Sequence, residues 1–257
     1  MEERLHEKKT ESPAGILLNI FGRIWAFWGL ISFLTTFLVI FLPSMVSYLM
    51  KETTGQKYFI AVSKIWMNVW LFLIGCPVKL SGRENFKPGA AYIVVFNHNA
   101  LLDVPLSAPY VPGANKTIAK ASFAKIPLFG LFYKRGSILV DRKNEKSRRR
   151  SFEAMQKVLA QGMHMCIYPE GSRNRTTEPV QPFYDGAFRL ATFTKKEIMP
   201  CVITGTKKAM PIDKKFYLLP IRLKMRFLPP VSSTDTTVAS LKQKVFSDMV
   251  KAYVEHV

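Results

Sequence analysis

The sequence predicts an α/β protein whose mixed, largely parallel sheet is covered by helices. Two observations carry this. From about residue 78 onward, short apolar runs rich in β-branched residues alternate with charged stretches of helical length. Before residue 78 the texture is different: two long apolar stretches carry few charges and read as a pair of helices. A length of 257 residues suits one large domain with an appendage, so the division expected is 1–76 and 77–257.

The first apolar stretch lies between Arg23 and Lys51, 27 residues without a formal charge: "IWAFWGLISFLTTFLVIFLPSMVSYLM". Eighteen or more such residues mark a candidate membrane helix. A signal peptide fits poorly, because the segment is long, no Ala-x-Ala site follows, and residues 1–14 hold four glutamates against three Lys/Arg. A buried core helix is the alternative. Pro43 interrupts the run. The second stretch, "YFIAVSKIWMNVWLFLIGC" at 58–76, is broken by Lys64 and Asn68, and only residues 65–75 are continuously uncharged. That is too few to span about 30 Å of hydrocarbon. Trp66, Trp70 and Lys64 suit an interfacial position. Residues 15–76 therefore read as a membrane-anchoring two-helix motif, the first helix deeply inserted and the second at the interface.

The strands expected next are 78–82, 91–96, 116–120, 137–141, 163–168, 199–204 and 223–228. The helices expected among them are 144–161, 183–196 and 236–256. Candidate site residues then fall just after strands, where α/β folds place ligands.

A net charge of +19 attracts polyanions: anionic lipid, phosphorylated substrates, acidic proteins or nucleic acid. Cys76, Cys166 and Cys201 are far apart, odd in number and without a Cys-x-x-Cys, so neither a disulfide framework nor a zinc site is implied. A reducing environment is the plain reading.

Two motifs carry chemistry. "FNHNALLD" at 96–103 sets His98 five residues before Asp103, just past the apolar run "AAYIVV". Read as structure, His98 caps the next helix. Read as chemistry, it is a base oriented by a carboxylate, with one imidazole nitrogen held protonated and the other free to take a proton. No serine or cysteine nucleophile sits nearby, which points to a substrate hydroxyl as the proton's source. "YPEGSRNR" at 168–175 is either a polar turn or a phosphate trap. In the trap, Gly171 lets the backbone approach, Ser172 offers a hydroxyl and Arg173 a bidentate fork, while Glu170 positions the arginine or bonds a polyol hydroxyl. Between them, "KASFAKIPLFG" at 120–130 puts two lysines around an apolar kink. "GSILVDR" ends a strand at Asp141-Arg142, and residues 142–150 hold six Lys/Arg: a solvated helix start, or a landing surface for an acidic carrier or anionic lipid.

In this order, the stretches resemble the blocks of the glycerolipid acyltransferase family, and most closely its 1-acyl-glycerol-3-phosphate (lysophosphatidic acid) acyltransferases. Asn-His-x-x-x-x-Asp is "NHNALLD", which includes Asn97. The strand closing in Asp-Arg is "GSILVDR", which includes Arg142. Pro-Glu-Gly-Thr/Ser-Arg is "PEGSR", and the apolar run around a proline is "IMPCVITGT", centred near Pro200. The resemblance covers about 78–206, half the chain, and the apolar N-terminal pair looks like the family's anchor. One departure stands out: where the family often has Phe-Lys-x-Gly-Ala-Phe, this chain reads "FYDGAF", with Tyr184 and Asp185.

The resemblance implies that His98 deprotonates the sn-2 hydroxyl of a lysophospholipid, which attacks an acyl thioester, and that Asp103 orients His98. It implies that Arg173, helped by Lys120, holds the acceptor phosphate, and that Glu170 and Gly171 shape the pocket. Backbone N–H groups near Lys120 or Gly171 are the expected oxyanion donors. No metal or cofactor is expected. The expected donor is acyl-CoA or acyl carrier protein as co-substrate, the expected partners are membrane lipids and not nucleic acid, and the expected place is the cytoplasmic face of the inner membrane. The alternatives are a relative acylating another lyso-lipid, an aminolipid or a glycolipid, and a non-catalytic basic membrane or nucleic-acid binder.

Overall fold

The computed structural model describes residues 12–255; residues 1–11 of the expected anchor segment and 256–257 of the expected α/β segment lie outside the described residues. Helix α1 (Pro13–Met45) starts where the Ser12 hydroxyl accepts from the Gly15 N–H and Pro13 takes a first-turn position. It continues through Pro43, whose missing N–H leaves the Val39 carbonyl without its helical donor two residues before the helix ends, and a short 3-10 turn follows at Val46–Leu49. Helix α2 (Glu52–Leu73) runs back along it. Then come β1 (Val78–Ser81), β2 (Ile93–Phe96), α3 (Asp103–Ser107), β3 (Asn115–Lys120), α4 (Phe129–Gly136), β4 (Ser137–Val140) and α5 (Glu145–Ala160). The chain closes with β5 (His164–Ile167), α6 (Gly186–Thr194), β6 (Ile198–Thr204), α7 (Thr206–Ala209), β7 (Leu223–Phe227) and α8 (Val238–Val254). Helices α5 and α8 are capped as their sequences dictate, by Asn144 accepting from the Ser147 N–H and Thr237 from the Ser240 N–H.

All seven expected strands form one sheet in the order β1-β7-β6-β2-β5-β3-β4. Strands β6, β2, β5, β3 and β4 run parallel, while β7 is antiparallel to β6 and carries β1 parallel to itself. The expectation of an α/β fold with a mixed, largely parallel sheet is borne out. The three expected helices also form; the short α3, α4 and α7 were not anticipated.

Each face of the sheet is covered. Ile93 and Val95 point into a cluster with Met155 and Leu159 of α5, Phe188 of α6 and Val245 of α8. Tyr92, Val94 and Phe96 point the other way, into a cluster that includes Phe37 of α1 and Trp66, Met67, Trp70 and Leu71 of α2. The two N-terminal helices thus share the core of the sheet.

All four tryptophans tie α1 to α2 and the turn after it. Trp25 and Trp28 donate to the Ile74 and Leu73 carbonyls, Trp70 to the Gly29 carbonyl and Trp66 to the Thr36 hydroxyl. Trp66 and Trp70 are buried rather than turned to an interface, because the α1–α2 seam both covers their rings and satisfies their N–H groups. Outside that seam, α1 presents Ile24, Phe27, Leu34, Leu38, Val39 and Leu42 to its surroundings. Among the described residues, Pro13–Leu49 is the one helical stretch long and apolar enough to cross a membrane, by length and composition.

Candidate active site

The parallel strands bring their C-terminal ends to one edge of the sheet, the place where such folds bind ligands. Residues Asn97 and His98 leave β2, Lys120 ends β3, Arg142 follows β4, and the 168–175 turn follows β5. The sequence blocks, scattered over a hundred residues, become neighbours by topology.

His98 and Asp103 meet. Between β2 and α3 the chain turns so that Asp103 Oδ2 lies 2.9 Å from His98 Nδ1 and also accepts from the backbone N–H of Asn99 at 2.6 Å and of Ala100 at 2.7 Å. Three donors on one oxygen stabilise the carboxylate and the turn together. Asp103 is fully buried, and its Oδ1 has no partner among the described residues. With the carboxylate as acceptor, Nδ1 is the donor, and in the neutral imidazole the lone pair then lies on Nε2; the His98 side chain remains about 15% exposed. His98 does not cap α3, which starts after Leu102 without a side-chain cap.

The 168–175 turn grips the His98 backbone from both sides. Glu170 accepts from the His98 N–H at 2.7 Å through Oε1 and from the Gln181 N–H at 3.0 Å through Oε2. The Asn174 N–H donates to the His98 carbonyl at 2.6 Å. Glu170 was expected to position Arg173 or bond a polyol hydroxyl; here both its oxygens are engaged by backbone. Burial pushes its carboxyl up to about 7, against the lowering effect of those two N–H groups. The Tyr168 ring packs 4.6 Å from the His98 ring, and its hydroxyl donates to the Asp103 carbonyl at 2.9 Å and meets the Ser107 hydroxyl at 2.7 Å. Asn174 and Tyr168 were not singled out in the sequence; an asparagine between two arginines reads as one more surface group.

Asn97 is a strut: its side-chain amide exchanges hydrogen bonds with the Ile203 carbonyl (2.8 Å) and N–H (2.7 Å), fastening the end of β2 to β6. Pro200 lies buried within β6, opposite Val95 of β2. Arg142 reaches the Gly171 carbonyl, so the second block touches the third. Gly171 has φ +71, and a Cβ there would meet the Tyr184 ring at 2.8 Å. The Gly171 N–H donates to the Tyr168 carbonyl, which removes it from the expected oxyanion donors. The next two amides, of Ser172 and Arg173, donate to nothing among the described residues. The Ser172 side chain is exposed, Arg173 is half-buried without an ion pair among the described residues, and Lys120 is exposed at the end of β3.

The FYDGAF departure has a local account. Tyr184 lies over Gly171 and is exposed, while Asp185 is bound to Lys242 of α8 at 2.7 Å and to Arg189 at 3.6 Å. Asp185 thus joins two helices instead of facing the site.

A family model described as Acyltransferase matches residues 77–204. Among similar proteins, the 1-acyl-sn-glycerol-3-phosphate acyltransferase of Helicobacter pylori is 30% identical over 183 residues, covering 69% of this chain and 76% of that one. The alpha enzyme of the same name from Mus musculus is 30% identical over 189 residues, covering 72% and 66%. The enzyme of that name from Cocos nucifera is 29% identical over 189 residues, covering 72% and 59%. The matches thus span about 59–66% of the length of the first three curated relatives. The crystal structure of the 1-acyl-sn-glycerophosphate (LPA) acyltransferase PlsC from Thermotoga maritima superposes with a TM-score of 0.77, covering 92% of this chain and 96% of that one at 21% identity. At that identity the likeness speaks for the fold.

Proposed function

This chain belongs to the acyltransferase family, and from that premise we propose that it moves an acyl group from a thioester to the sn-2 hydroxyl of lysophosphatidic acid, making phosphatidic acid. The observation that carries the reading is the Asp103–His98 pair at the mouth of the parallel sheet, its Nδ1 proton fixed and its Nε2 free.

The chemistry follows in two steps. His98 Nε2 takes the proton of the acceptor hydroxyl as its oxygen adds to the thioester carbonyl; Asp103 holds the ring in place and stabilises the imidazolium. The tetrahedral intermediate then collapses, the C–S bond breaks, and the thiolate leaves with the proton that His98 returns. General-base help of this kind is worth roughly 10²–10⁴-fold. A thioester is already activated, and no metal enters the scheme.

Arg173, Lys120 and the free N–H groups of Ser172 and Arg173 are the groups we assign to anions. Consecutive amides after a left-handed glycine form a concave donor pair suited to phosphate or to an oxyanion. The thioester is carried by coenzyme A or acyl carrier protein.

The acceptor and product live in a bilayer, and the outward apolar face of α1 offers a way to reach them. At 33 residues α1 is about 50 Å long. Its inner stripe, Gly22 through Ser44, packs on the rest of the chain at both ends, which favours a helix lying in one leaflet with its outer face among lipids. The free buried cysteines suit a reducing compartment, so the cytoplasmic face of the inner membrane is the side we assign.

Tyr184, exposed over Gly171 in place of the family's lysine, keeps a second acceptor in view: a lyso-lipid with another headgroup. A purified-enzyme assay pairing lysophosphatidic acid and other lyso-lipids with acyl-CoA and acyl carrier protein decides. Preference for lysophosphatidic acid, weakened about ten- to a hundredfold by Arg173→Ala, is expected for a charge-assisted phosphate contact. Faster turnover on an uncharged or zwitterionic lyso-lipid would overturn the choice of acceptor.

A further inference from the structure

Between β3 and α4 the chain crosses a 3-10 turn, Ala121–Lys125, and then Ile126, Pro127 and Leu128. Leu128 has φ +58 and ψ −56, and the Phe129 N–H donates to the Pro127 carbonyl at 2.6 Å. This is a γ-turn of the positive-φ kind, rare and strained for any residue with a side chain. Gly130 closes the loop; a Cβ there would stand 2.3 Å from the Ala124 carbonyl oxygen. The turn points its side chain outward: Leu128 is 47% exposed, beside Phe123, Ile126 and Leu131, exposed at 43%, 45% and 47%.

The patch has a rim and an orientation. Lys120, Lys125 and Lys134 are exposed around it and make no ion pair among the described residues, and residues 116–140 contain no acid. Its inner side is fixed to the α1–α2 elbow. Phe132 packs on Phe37, Phe59 and Trp66, and Phe129 on Phe37. Tyr48 donates to the Leu131 carbonyl at 2.9 Å. Buried Arg135 binds the Ser47 hydroxyl and carbonyl and, on α2, both the carbonyl and the carboxylate of Glu52. The elbow's own Val46, Tyr48 and Leu49 are exposed, so the loop extends the apolar outer face of α1.

We propose that residues 121–131 are a second membrane-contacting element, whose Phe123, Ile126, Leu128 and Leu131 enter an anionic leaflet while Lys125 and the neighbouring Lys134 meet headgroup phosphates. The proposal rests on the reading that the α1–α2 pair lies in that leaflet. The loop begins at Lys120, on the site's edge of the sheet, so its insertion holds the mouth of the site at the lipid surface. Apolar tips ringed by lysine match an interface whose interior is hydrocarbon and whose surface is negative. A protein partner would need complementary shape; the leaflet needs only this pairing of apolar tip and cationic rim.

The three native cysteines are buried, so a single new thiol can be labelled. Full-length protein carrying Leu128→Cys, and separately Leu42→Cys on the outer face of α1, is coupled to an environment-sensitive fluorophore. Each is mixed with phosphatidylcholine vesicles containing phosphatidylglycerol and brominated acyl chains. Both labels are expected to shift to the blue and to be quenched by the bromines. Quenching at position 42 with a water-exposed, unquenched label at 128 overturns the loop's role and leaves the anchor standing; no quenching at either overturns the anchor as well. A second variant, Leu128→Gly, relieves the positive-φ strain: thermal stability is expected to hold or rise and α1 to keep the chain on the vesicles, while bromine quenching of a label at Ile126→Cys falls severalfold. Unchanged quenching at position 126, or self-association through the loop in place of lipid contact, counts against the proposal.

Discussion

At the scale of single residues, two buried titratable groups bear on the site in opposite senses. Glu170 holds the His98 amide, and burial raises its carboxyl from 4.5 to about 7. His164 accepts from the Tyr92 N–H at 3.0 Å, and burial lowers its imidazole from 6.5 to about 4. For Glu170 the folded state holds the proton longer than the unfolded chain, so stability falls as pH rises from about 4.5 to 7. For His164 the folded state resists the proton, so stability falls as pH drops from about 6.5 to 4. The windows overlap and the slopes oppose. We expect a flat melting profile for the native chain between pH 4.5 and 6.5, and for Glu170→Gln a loss on acidification of up to about 3 kcal/mol, from roughly 1.4 per pKa unit. Parallel melting curves for the two proteins across that range would show that Glu170 does not titrate there.

At this scale the sequence was readable for His98 and Asp103, since a polar pair just past an apolar strand advertises itself. It was unreadable for Glu170, whose partners are backbone amides separated from it by 72 and 11 residues. Asn174 and Tyr168 act the same way, through main-chain atoms that no spacing rule marks.

Among the elements, β2, β5 and β6 were legible as short apolar runs buried on both faces, the other four strands as short runs in which apolar and polar residues mix, and the helices α5, α6 and α8 as longer stretches that mix charged and apolar residues. Helix α4 was hidden by its Gly130 and Gly136 and its aromatic content. The α1–α2 pair was legible as apolar but not as part of the core. Phe37, Trp66, Met67, Trp70 and Leu71 are packed in one cluster with Tyr92, Val94 and Phe96, and Gln56 and Asn68 bond to Asn115 and Tyr110. Burial of each large apolar side chain contributes about 1.5–3 kcal/mol. Uncovering three of them removes about 5–9, comparable with the whole stability of a typical domain, about 5–15 kcal/mol. A chain beginning at Val78 should therefore fail to fold cooperatively. Circular dichroism and a melting curve check this; a sharp transition near that of the full chain would mean that the sheet domain stands without its helices.

For the whole molecule, two forces act on a membrane. On the proposed reading the outer face of α1 inserts by apolar contact, which salt leaves alone, and a net charge of +19 draws the chain to anionic lipid over a Debye length of about 8 Å at physiological salt and about 3 Å at 1 M. Full-length protein should stay with membranes through a 1 M salt wash and come off only in detergent. Release by salt alone, followed by sedimentation, would make α1 a soluble core helix and leave charge as the sole attraction.

The proposed function assigns the topology, the membrane face and the anion-facing groups to the service of one pair of side chains, and acyl transfer by the purified protein tests that pair most directly. Lysophosphatidic acid and an acyl thioester are offered to native protein and to His98→Ala in detergent. The native enzyme should form phosphatidic acid, and the variant, with an unchanged melting curve, should lose at least about a hundredfold in turnover. A folded His98→Ala protein keeping more than about a tenth of native turnover would contradict the general-base account, which requires at least that hundredfold loss.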